Sequence, residues 1–353
     1  MLIQKAHEKR RLSCYALELE GQVARLTQEL KDRFNYQNLV GKSRAMLDVF
    51  EKIQAAGGNR STVMVIGESG TGKELVARAI HYGGILAEKP FVAVNCAALP
   101  QELIESELFG YRKGAFTGAA NDSVGLFKAA EGGTLFLDEV TEMAADTQAK
   151  LLRVLQERTV RPVGTTKEIS VDVRVIASSN RDLNQAVIQG KLREDLYYRL
   201  SVATIRVPPL RERVEDIPIL IRHIIDRFNK TLGREVQGVD RSALEAMMAY
   251  RWPGNVRELE NVLEAAFTFG KTARITRQDL PPQVLKDRMR PAGMAELPFS
   301  GVISLKEAER ILIVRALQEF KGNKAQAARA LGISRKQFYV KITTYGIEPS
   351  EWT

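Results

Sequence analysis

Short apolar runs alternate with amphipathic stretches over most of the chain, from about Leu39 to Phe269. The runs have the length of buried strands and read TVMVI at 62–66, FVAVNC at 91–96, TLFL at 134–137 and VRVIA at 173–177. Each is followed by a stretch in which apolar residues recur every three or four positions, as in ELVARAIHYG and DTQAKLLRVLQER. Alternating strands and helices of this size form a parallel sheet covered by helices on both faces. The pattern therefore predicts an α/β domain.

Other patterns flank this α/β region. Near the amino end, apolar residues spaced four and three apart form a heptad seam, made by Leu12, Ala16, Leu19, Val23, Leu26 and Leu30. The seam predicts a helical connector over residues 1–35, either a coiled coil or a helix packed on a core. From Tyr250 the pattern is purely helical, which predicts a small helical subdomain. Residues 270–303 contain four prolines and little periodicity, which predicts a linker, and residues 304–353 return to short helices.

Composition and charge narrow the class of protein. The 353 residues include 52 Lys and Arg against 43 Asp and Glu, and the net charge of +9 fits either an acidic partner such as nucleic acid or a solvated basic surface. Cys14 and Cys96 lack the spacing of a disulfide framework or a zinc site. No run reaches the length of a membrane span and the amino end is polar, so we expect no membrane insertion and a cytoplasmic location.

The segment GESGTGKE has the form of a phosphate-binding loop. It follows an apolar strand and opens a helical pattern, which is the context that such a loop requires. Its glycines let backbone N–H groups point at a β-phosphate, and Lys73 can reach the β- and γ-oxygens. A glycine-rich turn without a ligand is the alternative, and Glu74 stands where the general motif has Ser or Thr. The residues predicted to bind ATP are Gly67, Glu68, Ser69, Gly70, Thr71, Gly72, Lys73 and Glu74.

The segment GGTLFLDEV ends a second apolar strand with two acids, Asp138 and Glu139. The carboxyl ends of parallel strands line the ligand crevice of such a sheet. Asp138 is predicted to hold Mg²⁺, and Glu139 to orient the water that attacks ATP. A helix-capping turn is the alternative for two adjacent acids. Beside a phosphate loop, the pair favours an ATP site.

Hydrolysis of ATP also requires positive charge on the transferring phosphoryl group. The segment LREDLYYRL supplies Arg193 and Arg199, which could equally be surface arginines paired with Glu194 and Asp195. The segment WPGNVREL supplies Arg257, just inside a helix that follows a Pro-Gly turn, and a surface ion pair is again the alternative. The residues alone leave these alternatives open.

Five motifs follow one another along the chain: GESGTGKE, GAFTGA, GGTLFLDE, VPPLRER and WPGNVREL. In this order and spacing they make the chain resemble the bacterial enhancer-binding proteins, the AAA+ activators of sigma-54 RNA polymerase. The resemblance covers about residues 38–269, with a helical lid at about 210–269, and Lys-Glu is the usual end of this family's phosphate loop. It implies that GAFTGA tips a loop that contacts sigma-54, where an ordinary flexible loop is the alternative. The contact residues would be Gly114, Ala115, Phe116, Thr117, Gly118 and Ala119.

The resemblance also implies roles for single residues. Arg193 and Arg199 match arginines that reach the γ-phosphate held by a neighbouring subunit, so the active protein would be a ring, commonly a hexamer. Asn95 matches the asparagine that holds the catalytic glutamate away from water. Asn180 belongs to the first sensor of the bound nucleotide and Arg257 matches the second. The catalytic set would be Lys73, Asn95, Asp138, Glu139, Arg193 and Arg199.

The carboxyl-terminal stretch NKAQAARALGISRKQFYVKITTYGI predicts a helix, a tight turn at Gly332 and a second helix capped by Ser334. It resembles the Fis-like helix-turn-helix that ends many sigma-54 activators, whose second helix enters the major groove. A basic hairpin for protein contact is the alternative, and the helix Leu305–Phe320 is the predicted dimer surface. The residues predicted to contact enhancer DNA are Ser334, Arg335, Lys336, Gln337, Tyr339 and Lys341.

The resemblance thus implies an ATP-hydrolysing activator that remodels the closed complex of sigma-54 polymerase and promoter. A non-transcriptional AAA+ remodeller is disfavoured by GAFTGA, and a repressor with a vestigial ATPase by the intact catalytic set. The family often places a two-component receiver or a ligand-sensing domain before the ATPase, and only the heptad helix precedes it here. We therefore expect either a regulator that acts in trans or a sensor domain outside this sequence.

Overall fold

The computed structural model describes residues 39–116, 119, 121–270, 272–286, 304–320 and 322–348. The predicted connector at residues 1–35 lies outside the described residues, as do Thr117, Gly118 and residues 287–303. The chain divides into two compact units, Met1–Met289 and Arg290–Thr353.

Strands and helices alternate along the first unit, as the apolar pattern predicts. In chain order the strands are β1 Val63–Ile66, β2 Phe91–Asn95, β3 Gly110–Tyr111, β4 Ser123–Val124, β5 Thr134–Asp138, β6 Thr159–Val160, β7 Ile169–Ser170, β8 Arg174–Ser179 and β9 Ala203–Arg206. The helices are α1 Arg44–Gly57, α2 Lys73–Tyr82, α3 Gln101–Phe109, α4 Leu126–Ala129, α5 Ala145–Glu157, α6 Leu183–Ile188, α7 Glu194–Leu200, α8 Ile217–Leu232, α9 Arg241–Ala249, α10 Asn255–Phe269 and α11 Pro282–Lys286.

Five strands form a parallel sheet in the order β2-β5-β8-β1-β9. In β1, Val63 and Val65 pack with α1 and α2, whereas Met64 packs into the core on the side of α3 and α5. Successive strand residues point to opposite faces, so both faces of the sheet are buried under helices. The predicted α/β class is confirmed. Because the strands are parallel, the carboxyl ends of β1, β2, β5 and β8 meet at one edge.

A helical lid follows β9, with α8, α9 and α10 packed around the buried Trp252. Ile275, Leu280 and Val284 belong to the same core, and Val284 lies on α11. These three residues fall within the segment predicted to be a linker, so the lid continues beyond residue 269. Single apolar residues among polar ones have no helical or strand period, which is why the sequence pattern did not show their burial.

Two small antiparallel hairpins project from the α/β unit. The β3–β4 hairpin pairs Gly110 with Val124 and lies between α3 and α4. The β6–β7 hairpin pairs Thr159 with Ser170 and lies between α5 and β8. The GAFTGA segment occupies the connection within the first hairpin.

The second unit contains α12 Leu305–Glu319, α13 Lys324–Ala330 and α14 Arg335–Thr344. Its core is built around Leu317, Ala328 and Phe338. Gly332 has a φ of 69° and Ser334 caps α14, so the predicted turn between two helices is present. In the described part of the chain, every helix is too short or too polar to cross a membrane.

Candidate nucleotide-binding site

The phosphate-loop segment connects β1 to α2 at the carboxyl edge of the sheet. Gly70 and Gly72 have φ angles of 75° and 99°, a region that favours glycine, and Lys73 is the first residue of α2. The unpaired N–H groups at a helix amino end carry positive potential. This backbone fits the phosphate groups of a nucleotide.

The Lys73 side chain is buried beneath this loop. Its Nζ donates hydrogen bonds to the backbone carbonyls of Gly67, at 3.0 Å, and Glu68, at 3.3 Å. Burial lowers the pKa of the ammonium group, and the negative charges of Asp138 and Glu139 oppose that shift. The two acids predicted from the second motif therefore lie close enough to act on Lys73 electrostatically.

Asp138 is held by side chains from the strands on either side of β5. Asn95 lies opposite it in register, and Asn95 Nδ2 donates to Asp138 Oδ2 at 3.4 Å. The Ser178 hydroxyl donates to Asp138 Oδ1 and accepts from the Glu139 backbone N–H at 3.1 Å. Ser178 thus fixes both acids, a role that the sequence did not predict.

Asp138 also fits the magnesium ion that accompanies ATP. Mg²⁺ prefers oxygen ligands and is usually held by one or two carboxylates together with substrate phosphates. Among the described residues, no group of three or more His, Cys, Asp or Glu side chains is placed to hold a metal ion. The Asp138 carboxylate, at the end of β5 and near Lys73, is a donor of the kind that Mg²⁺–ATP uses.

Glu139 has a left-handed backbone, with φ 57° and ψ 50°, which is uncommon for a residue other than glycine. Its Oε1 accepts a hydrogen bond from Asn180 Nδ2 at 3.3 Å. The resemblance implies that Asn95 restrains this glutamate, but here Asn180 contacts Glu139 and Asn95 contacts Asp138. Asn95 ends β2 and Asn180 directly follows β8, and these two strands flank β5 in the sheet.

The amino end of α10 packs directly on the phosphate loop. The carbonyl of Gly70 accepts from the backbone N–H groups of Val256, at 3.0 Å, and Arg257, at 3.3 Å. Arg257 also donates from its guanidinium to Ser69 Oγ at 3.2 Å. A Cβ atom at Gly70 would come within 2.3 Å of the Gly254 carbonyl oxygen, so only glycine allows this approach.

A second contact between lid and loop was missed by sequence reasoning. Buried Asn255 accepts from the Leu210 backbone N–H at 2.8 Å and donates to Ser69 O at 3.0 Å and Glu68 Oε2 at 3.2 Å. Arg211 forms a two-point ion pair with Glu68, at 2.5 and 2.7 Å, and lowers the pKa of that carboxyl. Arg211 belongs to the motif VPPLRER and Asn255 to WPGNVREL, but the sequence does not show that the two side chains meet at Glu68.

The two predicted trans-acting arginines lie near the ends of α7. Arg193 pairs with Asp195 at 2.8 Å, as the ion-pair alternative allowed, and Arg199 donates to Leu155 O at 2.8 Å. Arg199 lines a cavity together with Thr62, which immediately precedes β1. It therefore lies at the amino edge of the sheet, and the length of β1, about 13 Å, separates that edge from the phosphate loop.

The GAFTGA hairpin presents an aromatic side chain. Phe116 is 40% exposed, and its ring lies edge-on to Tyr111 with centroids 4.9 Å apart. Gly114 N–H donates to Ala119 O at 2.9 Å, which closes the loop on itself. Asp122 pairs with Arg112 at the base of the hairpin. Thr117 and Gly118 lie outside the described residues.

The two hairpins are joined by their backbones. Val163 N–H donates to Gly110 O at 2.9 Å, and Arg112 N–H donates to Val163 O at 3.0 Å. A Cβ atom at Gly164 would lie 2.8 Å from the Ala115 Cβ, so the connections of the two hairpins are in close contact there. The two hairpins therefore share backbone hydrogen bonds as well as a close packing contact.

In the second unit, the predicted DNA-contact residues fall into two groups. Ser334 and Gln337 bond each other in a capping box at the start of α14, and Lys341 donates to Glu309 of α12. The remaining three residues, Arg335, Lys336 and Tyr339, are exposed, as are Ser334 and Gln337.

These features define an AAA+ P-loop NTPase domain with a lid and a separate helix-turn-helix unit. Three family models match: the Sigma-54 interaction domain at residues 39–206, the AAA+ ATPase lid domain at 211–296, and the bacterial regulatory protein, Fis family, at 304–345. The lid match, like the core described above, continues past residue 269.

Curated relatives and solved structures indicate the same family as these three family models. Regulatory protein AtoC of Escherichia coli K12 is 43% identical over 343 residues, 95% of this chain and 74% of AtoC. Nitrogen fixation protein AnfA of Azotobacter vinelandii is 46% identical over 331 residues, 94% of this chain and 62% of AnfA. The structure of NtrX from Brucella abortus in complex with ADP has a TM-score of 0.69 at 33% identity, and the match covers 95% of this chain and 75% of NtrX. The chain belongs to the sigma-54-dependent transcriptional activators, and it spans less than two thirds of AnfA.

Proposed function

We propose that this chain hydrolyses ATP to remodel a closed complex of sigma-54 RNA polymerase and promoter, acting through the loop that carries Phe116. The observation that carries the proposal is the position of the β3–β4 hairpin. It leaves the domain on the connection between β2 and β5, two adjacent strands that end in register at Asn95 and Asp138. A change at the nucleotide therefore has a short covalent route to Phe116.

Each group at the carboxyl edge has its own part in hydrolysis. The loop N–H groups and Lys73 bind the β- and γ-phosphates, for which Lys73 exchanges its present carbonyl partners. Asp138 would hold Mg²⁺, which would supply positive charge to the phosphate oxygens. Glu139 orients the attacking water, and Asn180 positions the glutamate carboxylate. Arg257, on the lid, senses whether the loop is occupied.

Arg193 and Arg199 complete the site of a neighbouring subunit in this proposal. Arg199 lies at the amino edge of the sheet, so it cannot reach a phosphate held by its own Lys73. An arginine that stabilises the transition state from another protomer makes hydrolysis depend on assembly. A head-to-tail interface of this kind closes into a ring, for which a hexamer is our proposal.

The helix-turn-helix unit would bind enhancer DNA and bring subunits together near the promoter. Arg335 and Lys336 lie at the amino end of α14, where a recognition helix approaches base edges. A sensor domain or a trans-acting regulator would control assembly. The expected partners are therefore sigma-54 polymerase, enhancer DNA and further copies of this chain.

Replacement of Phe116 by alanine tests the proposal. Phe116→Ala should keep ATP hydrolysis near the wild-type rate, because Phe116 belongs to the β3–β4 hairpin and not to the carboxyl edge of the sheet, and its ring lies against Tyr111. It should reduce open-complex formation on a sigma-54 promoter by about tenfold or more, since a buried phenylalanine contributes roughly 1.5–3 kcal/mol to a contact.

The matched control is Leu232→Ala, which removes an exposed apolar side chain from the lid instead of the hairpin. It should leave both activities intact. Normal open-complex formation by Phe116→Ala would contradict the contact role. A wild-type chain that fails to turn over ATP at any protein concentration would contradict the enzymatic part.

A further inference from the structure

The outward face of α14 changes in character along its length. Phe338 is buried in the core of the unit, and the residues on the opposite side of the helix are Lys336, Val340 and Thr343, which follow one another at intervals of four and three. Val340 is 57% exposed and Tyr339 is 51% exposed. A basic residue thus begins this face, and an exposed apolar one lies at its centre.

Two threonines extend the apolar character. Thr343 Oγ1 donates to Tyr339 O at 3.2 Å, and Thr344 Oγ1 donates to Val340 O at 2.8 Å. Both hydroxyl protons are donated to the backbone of the same helix, so each threonine can offer a partner its methyl group and an accepting oxygen but no donor. We call Val340, Thr343 and Thr344 the methyl face.

The carboxyl-terminal half of α14 has no charged side chain that is unpaired. Between Gln337 and Ile347 the sequence has one charged residue, Lys341, and its ammonium donates to the Glu309 carboxylate on α12. The same carboxylate accepts from the Tyr345 hydroxyl. The free cations of α14 are therefore confined to its amino end, at Arg335 and Lys336.

We propose that the methyl face reads thymine C5-methyl groups in the major groove, while Arg335 and Lys336 bind the flanking bases or phosphates. The proposal rests on the proposed role of α14 as a recognition helix. Thymine is the base that presents a methyl group in that groove, and apolar side chains are its usual partners. DNA is favoured over a protein partner because the stretch from Lys321 to Ile347 has six basic residues and no acidic one.

The test uses the full chain and its own preferred site, selected from unmethylated synthetic DNA so that C5-methyl groups occur on thymine alone. Each thymine of the site is then replaced singly by deoxyuridine, which removes the methyl group and keeps the pairing pattern. At one or more positions the dissociation constant should rise about fourfold, as expected for the loss of one buried methyl group.

Val340→Ala should remove this uracil penalty at one of those positions, with both DNAs bound equally. Leu232→Ala, which trims an exposed apolar residue of the lid, is the control and should keep the penalty. An unchanged penalty in Val340→Ala would overturn the proposal, as would a site with no uracil penalty at any thymine. If the wild-type chain binds no DNA sequence at all, the DNA-binding proposal itself fails, and the separate ATPase and open-complex assays show whether the rest of the function stands.

Discussion

At the scale of single residues, one buried histidine of the α/β unit is held by specific partners that also set its protonation. His81 is fully buried on α2, between the Thr134 hydroxyl, 2.9 Å from Nδ1, and the Lys89 carbonyl, 3.0 Å from Nε2. A carbonyl only accepts, so Nε2 carries the proton and Nδ1 accepts from Thr134. Burial lowers the pKa of His81 to about 4, and the positive charges of Arg174 and Arg78 add to this shift.

This histidine makes the stability of the α/β unit dependent on pH. The unfolded chain protonates His81 below its ordinary pKa of 6.5, whereas the folded chain stays neutral down to about 4. Stability contributed by neutral His81 is therefore complete above pH 6.5 and is lost as the pH falls towards 4. Between pH 7.5 and pH 5 we expect a loss of about 2 kcal/mol in the free energy of unfolding.

Urea unfolding of the wild type and of His81→Gln at both pH values measures this loss. The glutamine variant has no titrating group at this position and can still donate to Lys89 O, so its stability should fall by about 2 kcal/mol less than that of the wild type. Equal falls in the two proteins would show that His81 does not carry the effect.

At the scale of elements, the contact between the lid and the phosphate loop joins three segments far apart in the chain. Asn255 begins α10 with a φ of 53° and bonds to the loop and to Leu210 at once. Asparagine tolerates this left-handed conformation better than most residues, and its amide has both the donor and the acceptor that the contact needs. We therefore expect Asn255 to position the phosphate loop for nucleotide.

Asn255→Gly removes the side chain but keeps the left-handed backbone, so it isolates the hydrogen bonds. It should raise the ADP dissociation constant roughly tenfold, because unsatisfied buried groups cost about 1–3 kcal/mol. Asn255→Ala should add about 1 kcal/mol of backbone strain and lower the thermal midpoint further. ADP titration checks the first effect, and wild-type affinity in Asn255→Gly would reduce Asn255 to a structural role.

At the scale of the whole molecule, Lys73 and Arg199 lie at opposite edges of one sheet, so the proposed role of Arg199 in hydrolysis needs a second subunit. Lys73 belongs to the carboxyl edge through the end of β1, and Arg199 lines a cavity with residues that precede β1. Parallel strands keep these edges apart in every copy. In the proposed mechanism, the arginine that acts on the phosphate must therefore come from a neighbouring copy.

Mixing two inactive variants tests this arrangement. Lys73→Ala and Arg199→Ala should each lose most ATPase activity, by at least about a hundredfold, since such an arginine supplies much of the rate. An equal mixture should recover up to about a quarter of the wild-type rate, because one site in four then combines an intact Lys73 with an intact neighbouring Arg199 in a head-to-tail ring.

A mixture of Lys73→Ala with Glu139→Ala is the control. Both changes damage the same side of the interface, so no combination of subunits restores a site and the rate should stay at background. Recovery in the control, or none in the first mixture, would contradict sharing of the site between subunits.

The sequence by itself determined the α/β class, the phosphate loop, the acids that end β5 and the helix-turn-helix, because each depends on residues close together in the chain. Local periodicity fixes an element, and a glycine with positive φ or a capping serine acts within one turn. Only the tertiary structure decided that Asn180 contacts Glu139, that Asn255 and Arg211 meet Glu68, that Lys341 is bound to Glu309, and that the lid continues to α11. These contacts join segments that the order of the parallel strands and the packing of the helices bring together. The spacing of residues along the chain does not show which distant segments become neighbours.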